Sequence, residues 1–337
     1  MPPSLSRAAR IGTPSWYLIL AMAVALCVTQ YARPFTIDPI RALPVAAVLV
    51  VLTIALTVGK STGRPRLWVG ARAFLQMTLF TILGVVLAYA LAAKAGDLWD
   101  ARLAAADRML GIDWPAVLRG LDAFPLAIWL LGIAYHSLTL QMIVVIVALS
   151  GLEKFRTLNI AVCAAIASGF VTILISGAMP AMGNAFDPTP YRHLWPSVAW
   201  LERDLITGLR DGSLRVLDLT MLMGIVSFPS FHATLAAIFI WAFRAVPRFG
   251  GVGQLWALLT IVATPVFGGH YGVDVIMGLL LAPPAIRLAR TLHSASRPAH
   301  PTVAATPSPS ATRTIAAASD TPPCPAISVA SSPAERR

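Results

Sequence analysis

Charge is scarce in this chain. Only 12% of its 337 residues are Asp, Glu, Lys or Arg, about half the share of a soluble domain. That scarcity, with 57% apolar residues, excludes an ordinary water-soluble fold. Acidic residues are the rarer sign, 15 against 26 basic, for a net charge of +11. The basic residues are scattered through short loops instead of forming a stripe, so a nucleic-acid partner is not expected. Cysteine is nearly missing. Cys27, Cys163 and Cys324 are an odd number without metal-type spacing, which gives neither a disulfide framework nor a zinc site. The apolar run after Arg7 and Arg10 lacks a small-x-small cleavage site, so it reads as an uncleaved first span.

What the chain has in abundance is long apolar runs. Eight of them, near 15–32, 43–59, 73–93, 124–149, 157–179, 229–247, 252–269 and 272–290, approach the ~20 residues that cross a bilayer. The expected fold is all-α: a polytopic membrane helical bundle of about eight transmembrane helices. No internal repeat is visible. Three parts follow: N-terminal spans with short loops over 1–72, a larger membrane domain over 73–293, and a Pro/Ala/Ser-rich tail over 294–337. The tail lacks the bulky apolar content to offset ordering entropy and is expected to be disordered.

Short loops dense in Lys and Arg mark the cytoplasmic side. Arg7, Arg10, Lys60, Arg64, Arg66, Arg72, Lys154, Arg156, Arg244, Arg248, Arg287 and Arg290 share one side of the alternation, with Glu153 as the opposing acid. Both termini are therefore expected inside. Two long segments fall outside, Lys94 to Ala123 and Met179 to Gly224, the second with a patchy helix from Trp195 to Leu209. Long loops on a rigid bundle often carry function.

Two stretches combine ionisable groups with helix ends. One is Ser227-Phe228-Pro229-Ser230-Phe231-His232-Ala233, the other Phe267-Gly268-Gly269-His270-Tyr271-Gly272-Val273-Asp274. Ionisable groups at the edge of a hydrocarbon layer are costly and read as functional by default. The alternation of spans puts His232, His270 and Asp274 on the outer face. Pro229 suits a first helical turn, and Ser227 or Ser230 can cap it. A helix start binds phosphate through its free N–H groups and dipole, and His232 beside it can give a proton to a departing oxygen. Gly268 and Gly269 let backbone approach a ligand. Asp274, one turn past His270, can orient its ring as a nucleophile.

Pro229-Ser230-Phe231-His232 followed by His270-x-x-x-Asp274 resembles the second and third signature motifs of the type 2 phosphatidic acid phosphatase superfamily. The fuller form, with Ser227, Phe228 and His270-Tyr271-x-x-Asp274, is more similar to its inositolphosphotransferase branch, the inositol phosphorylceramide synthases. Leu110-Gly111-Ile112-Asp113-Trp114 and Tyr135-His136-Ser137 also resemble bacterial members of that branch. The resemblance covers about residues 100–290. It implies a six-helix catalytic core, a phosphohistidine on His270, Asp274 holding that ring, and His232 protonating the leaving group. It implies further that Ser230 helps hold a phosphate oxygen and that no metal or other cofactor is required; Gly269 and Tyr271, beside His270, are further substrate-binding candidates. The expected substrate is a lipid or lipid-like phosphate, with an alcohol as candidate acceptor, at the outer face of a bacterial inner membrane. Oligomeric state is not legible.

Two departures stand out. Thr264 lies where the common third motif has Arg, and the common Lys-containing first motif is replaced by Pro180 to Phe186. Arg192 and Arg203 are candidates for the missing cations, or else solvated loop charges. Gly183 and Asn184 either shape the pocket or make a turn; His136 either serves the site or bonds a neighbouring helix. Asp113 with Trp114 reads as an interfacial helix anchor. Competing with the phosphotransferase are a lipid phosphate phosphatase, a metal-dependent hydrolase with His232, His270 and Asp274 as ligands, and a transporter or scaffold without chemistry.

Overall fold

A computed structural model of the chain describes residues 13–32, 35–94 and 96–295; nearly all of the tail at 294–337 lies outside them. Thirteen helices follow in order among the described residues. They are α1 (Thr13–Ala32), α2 (Pro39–Ser61), α3 (Pro65–Ala92), α4 (Asp100–Met109), α5 (Trp114–Asp122), α6 (Pro125–His136) and α7 (Leu138–Gly151). Then come α8 (Phe155–Ala178), α9 (Val198–Leu201), α10 (Arg203–Asp211), α11 (Phe231–Phe243), α12 (Gly250–Phe267) and α13 (Gly272–Ala295). Two-residue strands β1 (Thr36–Ile37) and β2 (Val216–Leu217) pair in parallel, joining the α1–α2 connection to the long segment after α8.

Helix starts follow local chemistry. Pro39, Pro65 and Pro125 each open a helix, where a missing N–H costs nothing. Asp38 caps α2 by accepting from the N–H groups of Ile40 and Arg41.

The protein is an integral membrane helical bundle. Every apolar run is helical, with changes at three. Six helices (α1, α2, α3, α8, α12 and α13) are long and apolar enough to cross a membrane, and a seventh candidate is the α5–α6 pair, bent by 113°. The fourth expected span is two helices meeting at Ser137, whose hydroxyl donates to Ala134 O and accepts from Trp256 Nε1. The sixth shortens to the 13 residues of α11. The third begins at Pro65, so α3 runs through the expected boundary at 72/73. The patchy helix at 195–209 is two, α9 and α10.

Helix α8 is the centre of the bundle. It packs against α3, α11 and α13, and 78% of its apolar window is buried. Its buried face is rich in small residues, Cys163, Ala164, Ala165, Ser168 and Gly169 among them, which let neighbouring helices approach closely. The aromatic pair Phe80–Phe231, at 5.6 Å between centroids, closes the space over Gly169.

Candidate active site

Two turns meet at one end of this bundle. The first runs from Ser227 into α11. Ser230 is the N-cap, its Oγ accepting from Ala233 N at 3.4 Å, so Pro229 precedes the cap instead of opening the helix. His232 is then the second helical residue. The second turn, Gly268 to Tyr271, links α12 to α13. Gly269 sits at φ +70°, in the left-handed region that glycine tolerates. A Cβ there would run into Ala199.

Backbone and side-chain bonds lock the turns together. Ser230 N donates to Asp274 O at 2.9 Å, and Thr234 Oγ1 donates to Gly278 O at 2.8 Å. Asp274 is fully buried. Its Oδ2 accepts from Ser227 Oγ at 2.8 Å and Tyr271 N at 3.0 Å, and lies 3.4 Å from His270 Nδ1. The closer partner of Nδ1 is Ser227 O, at 3.0 Å. A carbonyl oxygen can only accept, so Nδ1 carries the ring proton and Nε2 keeps its lone pair. The sequence pointed to Asp274 as the orienter; in the structure it shares that place with the Ser227 carbonyl.

His232 lies on the other side of the site. Its ring stacks on Tyr135 at 4.7 Å and is 6.1 Å from the His270 ring, centroid to centroid. An oxygen bonded to a phosphorus at Nε2 can lie between the two rings. His232, His270 and Asp274 thus come together in one site.

Helix α4 fastens the second turn from outside. Asp107, 1% exposed, accepts from Gly272 N at 2.7 Å, Val273 N at 2.8 Å and Trp114 Nε1 at 2.7 Å. It satisfies the free N–H groups at the start of α13. Asp100 accepts from Met182 N, Gly183 N and the Tyr271 hydroxyl, at 2.9–3.1 Å. Gly183, at φ +92°, lies against Gly269 O, which a Cβ would reach at 2.5 Å. Asn184 N donates to that same carbonyl. Gly183 and Asn184 therefore pack directly on the His270 turn, whereas the Tyr271 hydroxyl is held by Asp100 and Ser230 Oγ is engaged as a cap.

Two cavities flank the histidines. The larger, about 330 Å³, is mostly apolar and lies among α3, α7, α8 and α11, with Phe80, Phe231 and His232 in its wall. The smaller is polar and is lined by His270, Gly269, Ser227, Tyr135 and Glu202. Gly224 and Val226 border both.

Arg192 and Arg203 line neither cavity. Arg192 is exposed, its N–H on Asp122; Arg203 stacks over Trp200 at 3.5 Å. His136 is also exposed and meets Tyr135 edge-on at 5.2 Å. Thr264 is buried, donating to Thr260 O. Glu202, which nothing in the sequence singled out, is 4% exposed, and burial pushes its carboxyl up to about 8. Among the described residues, no three His, Cys, Asp or Glu side chains form a group that could hold a metal ion.

A family model described as the PAP2 superfamily, the type 2 phosphatidic acid phosphatases, matches residues 101–288, more than half of the chain. Neither the curated proteins nor the solved structures contain a match.

Proposed function

This chain belongs to the PAP2 superfamily, whose activities are of the phosphatase and phosphotransferase type, and from that premise we propose an integral-membrane phosphotransferase that works through a phosphohistidine. Its substrates are lipid phosphates or phosphodiesters. The lone pair of His270 Nε2 attacks phosphorus while the bond to the leaving oxygen breaks, and His232 gives that oxygen a proton. An acceptor alcohol then attacks the phosphorus, His232 takes its proton, and the N–P bond breaks to restore His270. Asp274 and the Ser227 carbonyl hold the His270 ring and stabilise its positive charge.

The observation that carries this reading is the 3.0 Å contact from His270 Nδ1 to Ser227 O, with Asp274 Oδ2 at 3.4 Å. Together they leave Nε2 as the free nitrogen. The apolar cavity beside His232 supports a lipid on the oxygen that this residue protonates. Transfer of an inositol-phosphate type of headgroup is the finer form of the proposal, drawn from the resemblance of the two motifs. The lipid phosphate phosphatase is its alternative, with water as the acceptor. By the distribution of basic loops, both termini are cytoplasmic and the site opens on the periplasmic or extracellular side; the catalytic unit, expected over 73–293, starts instead with α3 at Pro65.

Acid-labile phosphate trapping tests this. Purified protein incubated with ³²P-labelled lipid phosphates and phosphodiesters is quenched in alkali, and the label is mapped. Label on His270 that is lost in His270→Ala is the expected result. Turnover by wild type with no acid-labile label would end the phosphohistidine reading.

A further inference from the structure

We propose that Glu202 is a phosphate-binding residue, its protonated carboxyl donating a hydrogen bond to a phosphoryl oxygen held at His270. The inference rests on the function proposed above for the identity of the ligand.

The geometry comes first. Glu202 precedes α10 and is 4% exposed, and it lines the small polar cavity with His270, Gly269 and Ser227. Oε1 is buried and has no hydrogen-bond partner among the described residues. Several groups near it are already engaged, while His270 Nε2 in the same lining is free. Ser227 Oγ donates to Asp274, Asn184 N to Gly269 O, and Ala199 N to Gly268 O. Asp274 Oδ1, in the same site, is likewise buried without a hydrogen-bond partner among the described residues; a buried polar atom left open beside the free His270 Nε2 marks where a ligand completes the pattern.

The sign of the missing partner follows from charge. Neither Lys nor Arg lines this cavity, and Arg203, the next residue, is turned onto Trp200. An ionised carboxylate there would repel a phosphoryl group; a neutral carboxyl offers it a proton. Burial already pushes Glu202 up to about 8, so it is mostly neutral at pH 7, and a bound anion pushes it further the same way. The other titratable groups facing it are the phenols of Tyr89 on α3 and Tyr135 on α6, and His270 with Asp274 behind it. His232 on α11 lies beyond Tyr135. None of these is a fixed cation. Where phosphate sites commonly use a guanidinium, this one uses a proton, and anion binding becomes coupled to proton uptake.

The sign for pH is direct. Binding needs the protonated form, so affinity holds below about pH 8 and falls above it, by ~10-fold per pH unit at the limit. The test uses the full chain in detergent, with orthovanadate and inorganic phosphate as probes. Dissociation constants are read from tryptophan fluorescence and thermal stabilisation between pH 6 and 9.5. Glu202→Gln keeps a neutral donor of the same shape and should bind at all these pH values without the alkaline loss. Ionisation of the probe is common to both proteins and cancels in their ratio. Glu202→Ala should bind ~10–100-fold more weakly throughout.

Three proteins with the same affinities and the same pH profiles would overturn the proposal. So would wild-type binding that tightens with pH while Glu202→Gln weakens, because the carboxylate would then be accepting from the ligand. Normal binding that ignores residue 202, with acid-labile label still on His270, defeats this inference alone. Absence of both anion binding and labile label defeats it together with the function it rests on.

Discussion

Helices α2 and α8 are alike in sequence and opposite in fate. Both are long, apolar and almost free of charge. Yet 6% of the apolar window of α2 is buried inside the protein, against 78% for α8. The difference lies in side-chain size. Along α2, Val48, Val50, Val51 and Ile54 are exposed, whereas α8 presents alanines, Ser168 and Gly169 to its neighbours. In a bilayer, hydrocarbon surrounds a helix on either side of that distinction, so apolarity does not drive helices together. Close packing does, and close packing needs small residues. The helices that surround α8 reach the site: α11 carries His232, and α13 starts two residues after His270. The rim is ordered because the centre is tight.

The largest way to test that contrast is at the rim. His270→Ala should abolish turnover, and His232→Ala should lower it by ~10²–10⁴-fold, with both proteins eluting as wild type on size exclusion. If purified His270→Ala keeps wild-type turnover, the rim is not the catalytic region. Next comes the clamp behind it. Asp107→Ala strips the N–H groups of Gly272 and Val273 of their acceptor and lets the His270 turn drift. A displacement of about 1 Å there is expected to cost ~10²-fold in turnover, with substrate affinity much less changed. Loss of affinity alone would make Asp107 a binding group instead.

Gly169→Leu tests the centre itself. Even a Cβ at Gly169 would collide with Phe80 and come within 3.0 Å of Phe231, so overpacking should destabilise by ~1–3 kcal/mol, read as a lower melting temperature. The smallest effect belongs to α2. Val51, 63% exposed, should accept Ala with a change below ~0.5 kcal/mol and full activity. Equal losses at 51 and 169 would dissolve the distinction between the two helices.

Much of this was legible along the chain. The apolar runs gave the helices, and the Pro229–His232 and His270–Asp274 spacings gave two turns that do meet. What stayed hidden is what other segments supply. Asp107 and Gly272 are 165 residues apart, and an acid in an outer loop looks the same whether it is solvated or caps a distant helix. Glu202 was hidden for the same reason, since its burial comes from the packing of the long segment against α6 and the His270 turn. The role of Ser227 was half visible: a hydroxyl near a helix start reads as a cap, but its carbonyl and hydroxyl serve His270 and Asp274 respectively. The shortening at α11 takes two residues at its start, where Ser230 is the cap and delays the helix past Pro229, and four at its end, where the chain turns at Arg244 ahead of Pro247.

The parallel pair β1–β2 has a consequence for how this protein answers to mutagenesis. The N–H of Thr36 donates to Arg215 O and that of Asp38 to Leu217 O, at 2.9 and 3.0 Å. This seam between the first two membrane helices and the segment that carries Glu202 is stitched from peptide groups. An alanine scan would report the side chains that flank it, the buried Phe35 and Leu217 among them, but would leave these two bonds in place, since every residue but one brings the same amide. Proline at position 36 would cut the thread.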